Sequence, residues 1–476
     1  MLIKLFDNVN TKIWYILPLL VVYSFFSMIF IQSGTESVYT YFYSFLLSLF
    51  SLLLFYKASE YIKSSFQNQT KLMLVPLYYL FWIGLLIRLA VVYFLPVEQA
   101  SDSATYVSLA QNLIENNVYG GKGTGYAYWP PGYPLVLYVF HLGIFDITPF
   151  SISLLNVIIY IFSFYLIYKA TKRIGGEKSA FLACLIFIFW PQQIMITNVA
   201  GKENIVFLLL LLSFYMSLII ESKYKFVIVG SLLGLCTLIQ PGTIFLFTAI
   251  LVLKIHQKET VRSIVSTALF VVIGAALIIS PWTYRNYNIF NEFVLVSTNG
   301  GSNFYRANNE LATGGYTDQG KIVVTDLSEV EEGKAYKQLA IDWIASNPAD
   351  FLLLMGRKLI LNLGDDSGGV YATFKLSGSS PIKSDIIYYA LKLISTLFWV
   401  LLWLILWIGR RHFIKQLKEN HSYVFISLCF LYFIVVHMVF ESNSKYHYPG
   451  GWAIVILVGL VSIKLLNTEK PAKLEK

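Results

Sequence analysis

With 57% hydrophobic and only 13% charged residues over 476 positions, and a mean hydropathy of +0.63, this chain cannot cover a water-facing surface. Soluble domains carry roughly 25% charged residues, so a soluble globular fold is excluded and a bilayer is the natural solvent. The formal net charge of +9 would suit a nucleic-acid partner, but the placement of the basic residues gives it another origin and none is expected.

A spanning helix needs about 20 mostly apolar residues. Such runs lie near 13–31, 38–56 and 73–95, then 150–168, 179–198 and 204–220. The first starts behind a short tail with no small-residue cleavage pattern after it, so no removable leader is expected. The stretch 226–253 is long for one span and carries Gln240-Pro241-Gly242 in its middle. Proline and glycine together break a helix, and the stretch reads as a tight hairpin of two short spans. Further runs at 263–280, 387–408, 422–440 and 449–466 bring the expectation to about twelve spans in an all-α polytopic membrane protein. Cys184, Cys236 and Cys429 all fall inside apolar runs and read as packing residues.

Basic residues orient the chain. With the N-terminus in the cytoplasm, one set of short loops holds Lys169, Lys172, Arg173 and Lys178, then Lys223 and Lys225, then Lys254, Lys258 and Arg262, and later Arg410, Arg411, Lys415 and Lys418. The opposite short loops hold almost none, which is the positive-inside pattern. One span instead of two at 226–253 would put Arg410, Arg411 and the basic tail outside. The two-span reading therefore follows, with both termini cytoplasmic, and the net charge is largely an anchor beside anionic lipid.

This parity divides the chain into spans 1–95, a first outer loop 96–149, spans 150–280, an outer segment 281–386, and 387–476 with the last three spans and a basic tail. In the outer segment, Glu329 to Trp343 reads as a surface helix ended by Asn347-Pro348, and 350–363 as an amphipathic helix at the membrane surface.

Ionisable residues collect on the outer side. Asp102 begins a helical pattern continued by Tyr106, Leu109, Ala110 and Leu113. It suits a helix cap, and equally a general base acting on an acceptor hydroxyl. Trp129-Pro130-Pro131-Gly132-Tyr133-Pro134 suits an interface anchor. The short Gly201-Lys202-Glu203 turn holds two charges at the membrane surface, where Lys202 could take a phosphate or simply snorkel. Arg285 presents a planar cation suited to phosphate oxygens or lipid headgroups. Asn299 lies in a polar, glycine-containing loop that could line a sugar site. Lys445 and His447 could add positive charge around a phosphate, and His437 is placed to pair with Glu441. Asp365-Asp366 reads as a solvated turn that leaves room for a metal. With no HExxH, paired CxxC or P-loop pattern, no cofactor is expected.

Three features together resemble the membrane glycosyltransferases of the C-class fold, in particular bacterial relatives of the dolichyl-phosphate-mannose–protein mannosyltransferases (glycosyltransferase family 39). They are Asp102-x3-Tyr106-x3-Ala110-x2-Leu113 followed by Trp129 to Pro134; Pro281-Trp282-x2-Arg285-Asn286-Tyr287 followed by Ser297 to Gly301; and a last outer loop with a basic residue, a tyrosine and a proline. The resemblance implies transfer of a sugar, with inversion, from a polyprenyl-phosphate donor to a glycan, lipid or protein acceptor at the outer face of a bacterial cytoplasmic membrane. Carried onto this chain, it makes Asp102 the base, with Lys202, Arg285, Lys445 and His447 around the donor phosphate. Tyr106, Trp129, Tyr133, Glu203 and Asn299 would line the pocket. Ser103 stands where members often have a second acid, and Lys445 where arginine is usual. A transporter or flippase of lipid-linked sugars, or a related glycan polymerase or ligase, is the competing expectation.

Overall fold

The computed structural model describes residues 2–32, 38–66, 76–121, 123–141, 146–317, 327–377 and 384–466. Among them the regular structure is helical. In chain order the helices are α1 (Leu2–Gln32), α2 (Val38–Phe66), α3 (Leu77–Phe94), α4 (Asp102–Asn116), α5 (Gly132–His141), α6 (Pro149–Phe189), α7 (Pro191–Met195), α8 (Lys202–Ile219), α9 (Lys225–Ile239) and α10 (Phe247–His256). They continue with α11 (Val261–Phe290), α12 (Gly300–Ala307), α13 (Glu329–Ser346), α14 (Pro348–Leu363), α15 (Gly368–Tyr371), α16 (Asp385–Ile408), α17 (Arg410–Glu419), α18 (His421–Val439) and α19 (Gly451–Leu466).

Eight helices among the described residues are long and apolar enough to cross a membrane, while Tyr41–Lys57, Lys225–Ile239 and Pro241–His256 are shorter apolar helices. One of the eight, α6, reverses on itself. Gly176 sits at φ 81°, a left-handed conformation that glycine adopts freely. Its two arms run antiparallel, since the Tyr160 and Phe187 rings stack with centroids 5.6 Å apart. The 226–253 stretch also reverses: α9 ends at Ile239, a 3₁₀ turn covers Pro241–Leu246, and Lys254 at the end of α10 returns to 5.2 Å from the Phe226 ring at the start of α9. Small residues let α9 and α11 touch closely. A Cβ on Gly230 would collide with the Val271 carbonyl, and one on Gly274 with that of Val227.

Two runs differ from expectation. The run 179–198 breaks at Trp190-Pro191, where proline supplies no N–H. The freed carbonyls of Phe187 and Ile188 accept from the guanidinium of Arg88, whose Nε also donates to Gln193 Oε1 at 2.9 Å. Arg88 is fully buried and lies 3.8 Å from the Tyr160 ring centroid, so this charge inside the bundle caps a broken helix. The run 263–280 does not stop before Pro281, because α11 continues through it to Phe290.

The surface helices match their patterns. Ser328 caps α13 through a reciprocal box with Glu331, and Pro348 opens α14. The last helix is the core: Trp452 to Val458 of α19 are fully buried, against α6 and α18. All three cysteines are buried and free. Among the described residues, the connections before α4, between α7 and α8, over 291–317 and 327–377, and from Phe440 to His447 meet at one end of the bundle. The reversal of α6, the α8–α9 turn and the ends of α10 and α17 form the opposite, basic end.

Candidate active site

The first turns of α4 and α8 and the loop before α19 meet at the connection-rich end. Lys445 Nζ lies 3.8 Å from Asp102 Oδ2 and 3.8 Å from Glu203 Oε1, so one cation bridges two carboxylates. Their environments differ: the Glu203 side chain is 7% exposed and that of Asp102 49%. Ser101, not Asp102, occupies the cap position of α4, and its side chain makes no capping bond. The Asp102 carboxylate is turned instead toward Lys445. Burial works against the charge on Lys445, but Glu203 and then Asp102 outweigh it and hold its pKa above the ordinary value. Lys202 is near enough for its charge to oppose that of Lys445.

Tyr106, one turn into α4, lies beneath the carboxylates. Its ring meets Trp129 edge-on at 5.6 Å and Tyr133 at 5.3 Å, giving the site an aromatic floor. Burial, with Asp102 and Glu203 nearby, pushes the Tyr106 phenol far up, so it stays a neutral donor. The Tyr133 hydroxyl is buried without a partner among the described residues.

The turn that carries Lys202 and Glu203 is held atom by atom. Gln99 donates to the Asn198 carbonyl at 3.0 Å and accepts from the Ala200 N–H at 2.7 Å. Asn156 donates to the Thr197 and Val199 carbonyls. Asn204 donates to Asn156 and accepts from the Tyr448 hydroxyl at 2.7 Å, tying this turn to the last loop.

Other residues singled out from the sequence lie elsewhere. His447 is fully buried, and its Nε2 lies 2.9 Å from Asp366 Oδ1. Trp190 Nε1 donates to the other Asp366 oxygen at 2.6 Å, and His447 stacks on Trp399 at 4.4 Å. The Asp365-Asp366 turn is therefore not solvated. Asp365 accepts from Ser367 N and Thr396 Oγ1, with Lys392 Nζ 3.6 Å away. Burial raises the Asp366 carboxyl to about 6, against the pull of His447 and Trp190. Among the described residues no three His, Cys, Asp or Glu side chains group as metal ligands.

Arg285 donates to the Tyr126 carbonyl at 2.7 Å and the Tyr119 carbonyl at 2.8 Å, and lies 4.4 Å from the Trp282 ring centroid. Its guanidinium thus shapes the first loop. Asn299 accepts from Ser297 in a loop that pairs with that same region, where Thr298 N donates to Ala127 O at 2.9 Å. Glu329, which in the sequence only opens a surface helix, accepts from Tyr126 N, Ala127 N and Thr298 Oγ1 and clamps the two loops together. His437 binds the Glu441 backbone carbonyl and not its side chain, which takes Arg306 at 3.0 Å and the Tyr446 hydroxyl at 2.6 Å. The Gly368-Gly369 step was the one sequence sign of close packing beside Asp366: a Cβ on Gly369 would crowd the Gln192 carbonyl.

Residues 129–284 match the family model described as dolichyl-phosphate-mannose-protein mannosyltransferase. No curated protein sequence matches the chain significantly. Among solved structures, the oligosaccharyltransferase of Archaeoglobus fulgidus in its apo form is similar at a TM-score of 0.49 and 11% identity, over 82% of this chain and 50% of that one. Its complex with zinc and sulfate gives 0.49 and 14%, over 81% and 49%. The form named AglB, with an inhibitory peptide and a dolichol-phosphate, gives 0.47 and 12%, over 81% and 50%. The chain spans about half the length of those proteins. It is thus a multi-pass helical membrane protein that resembles, across residues 129–284, the dolichyl-phosphate-mannose–protein mannosyltransferases.

Proposed function

We propose that this chain is a glycosyltransferase that moves a sugar from a polyprenyl-phosphate donor to an acceptor hydroxyl at the connection-rich end of the bundle. The observation that carries the reading is the bridge of Lys445 between Asp102 and Glu203, three residues from three separate segments, beside a stretch that matches a sugar-transfer family. Asp102, the more exposed carboxylate, takes the acceptor proton as the hydroxyl oxygen attacks the anomeric carbon. The bond from that carbon to the lipid-phosphate oxygen breaks, and the phosphate leaves with the electron pair. Lys445 and Lys202 neutralise the growing charge. Glu203 is the positioning residue that keeps Lys445 in place. A single displacement inverts the sugar carbon.

Two further features support this reading. An apolar cavity of about 350 Å³ lies between α9, α10 and α11, lined by Leu233, Phe247, Val271, Ile279 and Phe293 among others, and suits an isoprenoid chain. Basic loops gather at the far end, which supports an outer-face site by the positive-inside pattern. Flipping of lipid-linked sugar is the weaker reading, because Arg88, a buried charge within the bundle, is spent on helix carbonyls and Gln193.

The test is a purified, reconstituted protein supplied with synthetic polyprenyl-phosphate sugars and cell-derived acceptors, followed by mass spectrometry. Release of polyprenyl phosphate with a glycosylated acceptor is expected. Movement of intact donor between leaflets with no transfer would overturn the reading.

A further inference from the structure

At the basic end, away from Asp102, a cavity of about 100 Å³ opens between the ends of α8, α9, α10 and α18. Lys225, Lys254, His421 and Ser422 line its mouth. Below them Phe214, Ile250 and Phe425 form an apolar wall, where the cavity narrows to a slot of about 10 Å³. Two lysines and a hydrogen-bonded histidine pair share this crevice. Lys225 Nζ donates to the Ser217 carbonyl at 3.0 Å, and His421 Nδ1 stands 3.2 Å from His256 Nδ1. Glu259, partly exposed, pairs with Lys254 at 3.3 Å, and Glu221 is near enough for its charge to act on Lys225. Gln257 Oε1 also lines this cavity, buried and without a hydrogen-bond partner among the described residues.

Like charges gathered in a crevice are stabilised by a shared anion. Basic pockets between helices at the anchoring face of a membrane protein suit phosphate headgroups. We propose that this cavity binds the headgroup of an anionic phospholipid. The phosphate sits between Lys225 and Lys254, and a headgroup hydroxyl donates to Gln257 Oε1. The narrow slot beneath admits no acyl chain, so the tails stay in the surrounding bilayer. The bound lipid would staple the α9–α10 hairpin to α8 and α18.

The experiment is thermal unfolding and native mass spectrometry of the full chain, delipidated in neutral detergent. Phosphatidylglycerol, phosphatidylcholine of the same acyl chains, or inorganic phosphate is added back separately. Phosphatidylglycerol is expected to raise Tm and give a one-lipid adduct, phosphatidylcholine to do neither, and K225Q/K254Q to bind at least tenfold more weakly. Gln257→Trp, which fills the cavity but keeps both lysines, is expected to lose the adduct, so the test survives if the double variant does not fold. Equal protection by inorganic phosphate would overturn the lipid and leave a simple anion site. Equal protection by phosphatidylcholine, or full binding by both variants, would overturn the site.

Discussion

Lys445 and His447 stand in the same short loop yet serve opposite kinds of cluster. Lys445 reaches a half-open site, where it is shared by a buried glutamate and an exposed aspartate at 3.8 Å each. His447 turns into a dry pocket, where Asp366 and the Trp399 face enclose it completely. The loop is thus anchored by one residue while another is presented at the half-open cluster. Long ion-pair distances with exposure mark groups that a ligand can still reorganise, and short, sealed contacts mark groups committed to the fold.

That contrast is broken most severely at the anchor. Asp366→Ala leaves His447 Nε2 and Trp190 Nε1 buried without their acceptor, and should cost about 3–5 kcal/mol of stability. Thermal unfolding in detergent reads this as a large fall in Tm, with transfer activity lost alongside. Asp366→Asn, which keeps an acceptor oxygen, should recover most of both. Lys445→Gln, which removes the charge but leaves a hydrogen-bond donor for the buried Glu203, should lower transfer by about 10²-fold while Tm falls less than for Asp366→Ala. A Tm fall as large as that of Asp366→Ala would erase the distinction between the clusters.

The anchor also predicts a pH signature. Burial raises Asp366 from 3.8 to about 6, so between those values the native state keeps a proton that the unfolded chain has released. This contribution to stability is present below about pH 4 and lost as pH rises through 6, up to about 3 kcal/mol. Tm of the wild type should therefore fall relative to Asp366→Asn as pH rises from 4 to 6. Parallel curves would contradict it. The smallest effect belongs to Arg285→Lys, which can keep one of the two loop carbonyls but not both. It should cost about 1 kcal/mol and act on apparent acceptor affinity more than on the maximal rate.

Much of this was legible in the chain. Apolar runs located the long helices, Gln240-Pro241-Gly242 marked a real reversal, and Asp102 does open a helix facing the last loop. What stayed hidden depends on partners remote in sequence. Nothing near Asp366 announces His447 or Trp190, so an acidic pair reads as solvated until the fold buries it. The sequence gives no sign of Arg88's role, because the carbonyls it caps are freed only once Pro191 has broken the helix. Arg285 reads as free for phosphate because its acceptors are backbone carbonyls, which every sequence has and none advertises.

The central claim is that Asp102 is the base and that its ion pair is catalytic, not structural. The most direct measurement is the single-turnover transfer rate of Asp102→Asn in proteoliposomes, beside wild type of equal Tm and insertion. Asparagine keeps the size but cannot take the proton. The account predicts a rate lower by about 10²- to 10⁴-fold, with donor binding retained. A rate equal to wild type would contradict it.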